Sequence, residues 1–407
     1  MPEFFGEVAG GAAATTTAMR QQTGWHILDT SSIWLKEFAV ELGRMVPVWN
    51  WSPEIRSFGW FENWERTERV ADPRLDITRF PLQRGYSRFP VAQLLPFAKK
   101  VEARIRAAAA VPERSTLICT APFYAPVAER WPGPVVYYLT DMTAKYAGMN
   151  ARQVLGLDRR MCRVAGTVCP NSARIAQYLT RDAGCEPGKI TVIPNATREE
   201  NLLERPLTAA AAPPPDLADL ARPVAGVIGN LAMNMDWVFL EDAIAKTPDL
   251  SWVFVGPTDM KIPEAAQSEA RSRLLARGGP AGGRIRFVGG KPYGELACYA
   301  RAFDVAVLPY KKQEPTYSGS ATRFYEHLAA CRPMLATRGF HELLSKEPLL
   351  WLVDSGEEVA TAVASLRRTG FRDGVEEMRW RASREGTWQV RARDLLAASK
   401  PGRRKVA

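Results

Sequence analysis

Long hydrophobic runs are missing from this chain of 407 residues. No stretch approaches the roughly 18 to 20 uninterrupted apolar residues that a membrane-spanning helix needs. The N-terminus also lacks the basic segment, apolar core and cleavage site of a secretory signal. We therefore expect a cytoplasmic protein whose contact with a membrane, if it has one, is peripheral at the inner face.

Metal-binding and disulfide patterns are missing as well. The chain has six cysteines and only three histidines, and the cysteines lack the spacing of a zinc site or a disulfide framework. We expect buried free thiols, no metal site and no bound cofactor. The cysteines are Cys119, Cys162, Cys169, Cys185, Cys298 and Cys331.

Positive charge is in excess, with a formal net charge of +10. Such a charge attracts nucleotides, nucleic acid and acidic phospholipid without distinguishing among them. No helix-turn-helix, RNP, KH or zinc-finger pattern accompanies it, so nucleic acid is not an expected partner. A content of 46% hydrophobic and 24% charged residues is typical of globular proteins, and the length predicts two large domains.

Apolar segments of strand length alternate with amphipathic helical segments along most of the chain. This alternation predicts a parallel sheet covered on both faces in each of two domains, at 23–206 and 223–384. Residues 1–22 have few large apolar residues and predict a disordered leader, the proline-rich stretch 207–222 predicts a linker, and the last segment, 385–407, ends in a basic tail. The predicted strands are 25–29, 46–49, 116–121, 135–140, 166–169, 190–194, 224–230, 251–256, 285–289, 305–310 and 333–337; the predicted helices are near 31–43, 91–110, 172–183, 238–245, 293–302 and 321–330.

Two doubly wound α/β domains in series are expected to face a cleft at the carboxyl ends of their strands, where such sheets bind ligands. The G-x-G-x-x-G fingerprint of dinucleotide enzymes follows the first strand of neither domain. The second domain has instead Gly229 and Asn230 before a helix start near Asp236. A turn of this kind can bring backbone N–H groups to a phosphate, although it can also be merely a turn.

The most informative segment follows the VAVLPY strand. A polar loop with Ser318, Gly319 and Ser320 opens a helix, so that hydroxyls and N–H groups would converge at its positive end and hold a diphosphate. Arg323 could add a charge-assisted contact, and Glu326 on nearly the same face could hold the two hydroxyls of a ribose. The alternative is an N-capped helix with Arg323 and Glu326 as a surface pair.

These residues resemble the nucleotide-sugar-binding half of GT-B glycosyltransferases, with a GT4-like C-terminal domain. FVGGKPYGELACYARAFDVAVLPY and SATRFYEHLAACRPMLAT carry the resemblance, which covers about 223–340. NATREENLL after ITVIP is similar to the segment that ends the N-terminal domain of these enzymes, and EGTWQVRARDLL (385–396) resembles their last helix, which crosses back to that domain. Residues 45–115 are the least covered.

The resemblance implies two Rossmann-like domains, with the donor bound by the C-terminal one and the acceptor by the N-terminal one. It implies transfer from a nucleotide diphosphate sugar, with a UDP-sugar as the expected donor, to a hydroxyl of a saccharide or lipid-linked saccharide in surface polysaccharide assembly. The expected donor-site residues are Gly229, Asn230, Lys291, Tyr310, Ser318, Gly319, Ser320, Thr322, Arg323 and Glu326.

Two departures from the family pattern bear on the stereochemistry. Retaining GT4 enzymes have a glutamate eight residues before the one matched by Glu326, and this chain has Ser318 there. Cys331 replaces the usual glycine later in the motif, which indicates a divergent branch. The segment PVVYYLTDMTAKY resembles the inverting glucuronosyltransferase of xanthan assembly, whose catalytic base matches Asp141. An inverting transfer is therefore the expectation.

Asp141 also has a physical case of its own. It follows the VVYYL strand and so lies at a carboxyl end, where a carboxylate can accept the proton of an attacking hydroxyl. An aspartate in this position can also be a helix N-cap or a strand-end acceptor.

Basic and aromatic residues are concentrated in the N-terminal half. Residues 74–114 hold nine Lys or Arg against three Asp or Glu, and a helix there has the mixed character of elements that bind anionic membranes. The alternative is a solvated helix face whose other side packs on a sheet. Just before it, aromatic rings could stack on a sugar, rest at a lipid interface or pack beneath a loop. These rings are Trp49, Trp51, Phe58, Trp60, Phe61 and Trp64.

Two other functions share parts of this pattern. A non-hydrolysing nucleotide-sugar epimerase would have the same two domains and would convert the donor without an acceptor. A non-catalytic transferase-like subunit of a membrane complex would bind the donor without catalysing any reaction. The glycosyltransferase is expected to need no metal, because the helix start, Ser320, Thr322 and Arg323 would stabilise the leaving diphosphate.

Overall fold

The computed structural model describes residues 23–56, 72–83, 85, 97–109, 111–206, 210–279 and 283–399. The predicted leader, the tail beyond 399 and the four aromatic residues Phe58, Trp60, Phe61 and Trp64 lie outside these residues. The strands are β1 Trp25–Leu28, β2 Val48–Arg56, β3 Ile77–Gln83, β4 Thr116–Cys119, β5 Val135–Leu139, β6 Thr167–Pro170, β7 Val224–Ile228, β8 Ser251–Val255, β9 Ile285–Phe287, β10 Val305–Leu308, β11 Met334–Ala336 and β12 Trp351–Leu352. The helices are α1 Ile33–Gly43, α2 Phe97–Ala108, α3 Ala125–Ala128, α4 Ala151–Val164, α5 Ala173–Arg181, α6 Trp237–Lys246, α7 Ala265–Arg277, α8 Leu296–Ala302, α9 Thr322–Ala330, α10 Gly356–Arg368, α11 Glu376–Glu385 and α12 Trp388–Ala398.

The described chain forms two compact units. The first takes in the residues as far as 171, then Ile175–Ile193 and the residues from 392 onwards; the second takes in Ser172–Arg174 and Pro194–Arg391. Residues 194–206 thus group with the second unit because hydrogen bonds tie them to it. For example, Thr197 N–H donates to the Gly386 carbonyl over 2.9 Å.

The first unit is built on a six-stranded sheet in the order β3-β2-β1-β4-β5-β6, with every neighbouring pair parallel. This is the Rossmann order, in which the chain starts at the centre and winds outwards in both directions. The central strands β4 and β5 are buried at every residue, as expected of a sheet covered on both faces.

The second unit repeats the same topology. Its six strands are all parallel in the order β12-β11-β10-β7-β8-β9. Its core includes three aromatic rings that stack in sequence, Trp252 on Phe254 and Phe254 on Phe287. The predicted fold class, two doubly wound Rossmann-like domains, is therefore confirmed.

Several local features differ from the sequence-based expectations. The predicted strand 190–194 forms only a bridge between Ile190 and Val168, although it runs beside β6 and Thr191 N–H donates to the Val168 carbonyl over 3.0 Å. Strand β3 was not predicted, and its Pro81 is tolerated because β3 is an edge strand. Five of the six cysteines are buried free thiols as expected, whereas Cys298 is exposed.

The described part of the predicted linker 207–222 packs on the second unit. It contains a short turn, Pro215–Leu217, whose Leu217 is buried in a cluster with Val224 and Phe303. Arg286 binds Asp219 with two hydrogen bonds and so secures this segment to β9. In the described ranges, no helix has the length and apolar character to cross a membrane.

Candidate functional site

Helix α9 begins at the end of a polar loop that follows β10. The Ser318 hydroxyl donates to Glu314 Oε1 over 2.8 Å, and the Ser320 hydroxyl donates to Glu342 Oε2 over 2.9 Å. Glu342 Oε2 also accepts the backbone N–H of Ala321 over 2.8 Å. The hydrogens of both serine hydroxyls are thus already engaged within the protein.

Thr322 and Arg323 present the donors that remain at the start of α9. The Gly319 N–H is used by the preceding turn, where it donates to the Thr316 carbonyl over 3.0 Å. The Thr322 hydroxyl accepts Asn195 Nδ2 over 2.8 Å. Among the described residues, neither this hydroxyl's own hydrogen nor the backbone N–H groups of Thr322 and Arg323 have an acceptor. Donors grouped at the positive end of a helix favour an anion.

Arg323 and Glu326 form a buried ion pair. Their side chains are 19% and 6% exposed, so they are not the surface pair that spacing alone allows. Burial lowers the pKa of Arg323, but the charge of Glu326 and its hydrogen bond outweigh burial and raise that pKa above its ordinary value. Glu326 Oε1 is buried and has no hydrogen-bond partner in the described part of the chain. An unpartnered carboxylate oxygen is costly, and the hydroxyl of a ligand would satisfy it.

The turn after β7 brings Gly229 and Tyr310 to this pair. Gly229 has a φ of +150°, and a methyl group on its Cα would come within 3.7 Å of Arg323 Nε and 3.9 Å of Tyr310 Oη. Burial raises the pKa of Tyr310 to about 12, so its hydroxyl keeps its hydrogen at neutral pH. Four of the predicted residues, Gly229, Tyr310, Arg323 and Glu326, are therefore neighbours.

Two other predicted residues have different surroundings. Asn230 follows Gly229 and is exposed. Lys291 is engaged elsewhere, because its ammonium group binds Asp216 over 2.8 Å and lies 5.6 Å from the ring centre of Tyr299. The hydrogen bond with Asp216 raises the pKa of Lys291. Its positive charge is thus already offset by a carboxylate.

Sequence reasoning missed Asn195 and Glu342, which hold the start of α9 from two sides. Asn195 donates from its backbone to Ser320 Oγ and from Nδ2 to the Ser320 carbonyl, each over 3.0 Å. Glu342 accepts from Ser320, from Ala321 and from the Tyr325 hydroxyl, the last over 2.5 Å. Asn195 lies in the quoted NATREENLL segment, which is the signal that could have identified it; Glu342 has no comparable signal.

Asp141 lies in the first unit, two residues beyond β5. Its carboxylate caps no helix within the described ranges: the turn Thr143–Lys145 begins after Met142 without a side-chain cap, and α4 is capped by Asn150. Burial raises the pKa of Asp141 to about 6, and hydrogen bonds from Tyr146 and Thr140 partly oppose that rise. A carboxylate with a pKa near 6 is ionised at neutral pH and is a stronger base than an ordinary aspartate.

The basic stretch 74–114 lies partly outside the described residues. On α2, Val101 and Ile105 are buried in the core of the first unit. Arg106 pairs with Glu102 on the same helix over 2.9 Å. The described part of α2 thus packs its apolar side on protein.

The two described members of the aromatic stretch also pack internally. Trp51 is 2% exposed and donates from Nε1 to His26 Nδ1 over 3.2 Å. The ring of Trp49 stacks on that of His26 with 5.0 Å between centres. The Trp51 ring is thus buried, whereas Trp49 keeps partial exposure. Within the described residues, no group of three or more His, Cys, Asp or Glu side chains could hold a metal ion.

This chain is similar to known proteins strongly in fold and only weakly in sequence. No protein-family model matches the chain. The chain is similar to TuaH of Bacillus subtilis (strain 168), provisionally named a teichuronic acid biosynthesis glycosyltransferase, with 23% identity over 176 residues. The matched segment is 42% of this chain and spans less than half, 42%, of that relative.

Among solved structures, the chain is similar to HepE of Anabaena in complex with UDP and glucose, with a TM-score of 0.62 and 15% identity over 92% of this chain and 98% of that one. Sucrose-phosphate synthase of Thermosynechococcus elongatus gives a TM-score of 0.65 and 16% identity over 93% of this chain and 100% of that one. A glycosyltransferase of Rickettsia africae gives a TM-score of 0.64 and 14% identity over 93% of this chain and 98% of that one. The fold is therefore the two-domain GT-B fold.

Proposed function

We propose that this protein is a glycosyltransferase that moves a sugar from a UDP-sugar donor to a hydroxyl of a saccharide or lipid-linked saccharide. The observation that carries the proposal is the start of α9. There, hydrogen-bond donors of Thr322 and Arg323 adjoin a buried carboxylate, Glu326, with one unpartnered oxygen. A nucleoside diphosphate has the complementary groups, a diphosphate and a ribose diol.

In this proposal, the second unit binds the donor. The diphosphate accepts from Thr322 and Arg323, and a ribose hydroxyl donates to Glu326 Oε1. Gly229 leaves room beside Arg323, because any side chain there would enter the space next to the guanidinium group. HepE, in complex with UDP and glucose or with UDP-glucose, supports uracil as the base.

The first unit is proposed to supply the base, Asp141. Its carboxylate takes the proton of the acceptor hydroxyl while that oxygen bonds to the anomeric carbon and the bond to the diphosphate breaks. The electron pair of the breaking bond leaves with UDP, and donors that are already oriented at α9 stabilise the charge that develops there. One displacement inverts the anomeric centre, so an α-linked donor should give a β-linked product.

Transfer itself tests the proposal. The protein is incubated with radiolabelled UDP-sugars and with saccharides or lipid-linked saccharides extracted from bacterial membranes, and both released UDP and labelled acceptor are measured. We expect the two in equal amounts. An epimerised donor without an acceptor would identify an epimerase instead, and donor binding without any transfer would identify a non-catalytic subunit.

We also propose that the transfer needs no divalent metal, because Arg323 and the start of α9 would stabilise the leaving diphosphate. Protein treated with a chelator should then keep its rate. If the chelator abolishes transfer and Mg²⁺ or Mn²⁺ restores it, this part of the proposal is wrong. The proposal that the protein is a glycosyltransferase would still hold.

A role in surface polysaccharide assembly at the inner face of the membrane is the wider proposal. The name of TuaH, in which teichuronic acid biosynthesis appears, supports it. Binding of the full chain to vesicles of anionic lipid, and not to vesicles of neutral lipid, would be the expected result.

A further inference from the structure

Two guanidinium groups share the ring of Tyr293 in the second unit. The Cζ of Arg198 lies 4.6 Å from the ring centre and that of Arg323 lies 6.0 Å from it. A methyl group on Gly294 would come within 3.3 Å of Arg198 Nη1, so Arg198 lies along the Tyr293–Gly294 turn. Guanidinium groups are attracted to aromatic faces at such distances.

The backbone around Arg198 is fixed relative to α9. On one side, Asn195 binds Ser320 and Thr322 at the start of the helix. On the other side, Asn201 N–H donates to the Arg198 carbonyl over 3.1 Å and closes a short turn. The guanidinium group of Arg198 therefore extends from a segment that is held in place before any ligand arrives.

Arg323, on α9, is the first of the two cations beside the ring of Tyr293. A diphosphate has two phosphate groups, and the donors of Thr322 and Arg323 can serve the one nearest to α9. A second phosphate needs a further cation, and a planar guanidinium group suits phosphate well.

We propose that Arg198 is a donor-binding residue that contacts the second phosphate group of the nucleoside diphosphate, beside the ring of Tyr293 that it shares with Arg323. This inference rests on the proposed function. It adds a residue that neither the phosphate loop nor α9 contains. It also gives the site a preference for a nucleoside diphosphate over a monophosphate.

The test is calorimetric titration of the full chain with UDP and with UMP. In Arg198→Ala, the dissociation constant for UDP should rise roughly 10-fold to 100-fold, the range for a lost charge-assisted hydrogen bond. The constant for UMP should stay nearly unchanged, so the preference for UDP shrinks. Arg198→Lys keeps the charge without the planar fork and should recover part of the loss. Arg277→Ala removes an exposed arginine from α7 and serves as the matched control, with binding like the wild type.

An Arg198→Ala variant that keeps the full preference for UDP over UMP would overturn the inference. So would equal weakening of both ligands, because that result assigns Arg198 to the nucleoside or to the first phosphate. If Arg198→Ala does not give a folded protein, the same comparison is made with Arg198→Lys. Failure of the wild type to bind UDP would instead overturn the proposed donor. The experiment therefore distinguishes failure of this inference from failure of the proposed function.

Discussion

Asp141 is the single residue on which the proposed chemistry depends most. Asp141→Asn keeps the shape and can still accept a hydrogen bond but cannot take a proton. We expect the rate of transfer to fall by ~10²-fold to 10⁴-fold while the dissociation constant for the donor holds. Single-turnover kinetics and calorimetry measure the two quantities. A variant with the wild-type rate, or a product that retains the anomeric configuration, would contradict the role of base.

The pKa of Asp141 predicts an acid limb in the pH profile. A base must be ionised, so kcat should fall as the pH drops through about 6. The hydrogen bond from Tyr146 stabilises the ionised form, so Tyr146→Phe should raise the pKa of Asp141 and move this limb to higher pH. The matched control is Tyr178→Phe, which removes a tyrosine hydrogen bond to a different aspartate, Asp158, over 2.6 Å. A limb that moves equally in both variants would contradict the assignment to Asp141.

The same pKa sets the sign of the effect on stability. Because the folded state raises the pKa of Asp141 from 3.8 to about 6, it binds a proton more readily than the unfolded state does. The protonated Asp141 therefore contributes to the free energy of unfolding. This contribution is fully present below the pKa of the unfolded state and is lost as the pH rises through about 6. Asp141→Asn should therefore gain in free energy of unfolding relative to the wild type between pH 4 and 6. A variant that is at least as stable as the wild type in this pH range would show that its lower rate of transfer does not come from unfolding.

At the scale of the element, the start of α9 depends on a carboxylate that is distant in sequence. Glu342 accepts hydrogen bonds from Ser320, Ala321 and Tyr325. Glu342→Ala would leave these donors without an acceptor, so we expect the free energy of unfolding to fall by about 1 to 3 kcal/mol. UDP should also bind more weakly, because the helix start loses its orientation.

Urea unfolding and calorimetry measure the two effects of Glu342→Ala. Glu269→Ala is the matched control, since Glu269 lies on α7 with 69% of its side chain exposed. Unchanged unfolding and unchanged UDP binding in Glu342→Ala would mean that the carboxylate does not organise the helix start.

The elements that could be predicted from the sequence are those whose burial is uniform. β4, β5, β7 and β8 are short apolar runs between turn residues, and each was expected near its observed bounds. β3 could not be recognised, because an edge strand that contains Pro81 and alternates with polar residues has no continuous apolar run. The end of α9 was expected at its observed position, and the residue after it, Cys331, has a φ of +59°, a conformation that favours the glycine found there in the family pattern.

At the scale of the whole molecule, both sheets wind in the same order. The alternation of strands and helices predicted a parallel, doubly wound sheet in each domain but not the order of its strands. The sequence suggested Arg323 and Glu326 from their spacing along one helix, and Gly229 and Tyr310 from the ends of two other predicted strands. Asn195 and Glu342 contact the start of α9 only in the folded chain, and no spacing rule connects them to it. The partners of Ser318 and Ser320, which engage both hydroxyl hydrogens, were unpredictable for the same reason.

The central claim, that this chain binds a nucleotide sugar at α9, is tested most directly by thermal unfolding across a panel of UDP-, GDP- and ADP-sugars. A ligand at 100 times its dissociation constant stabilises a folded protein by about 2.7 kcal/mol. We predict that a UDP-sugar raises the melting temperature of the wild type. The rise should be much smaller in Glu326→Gln, which keeps the volume of the side chain but removes the charge. If no nucleotide sugar stabilises the wild type, or if the rise is undiminished in the variant, the donor site is not where this account puts it.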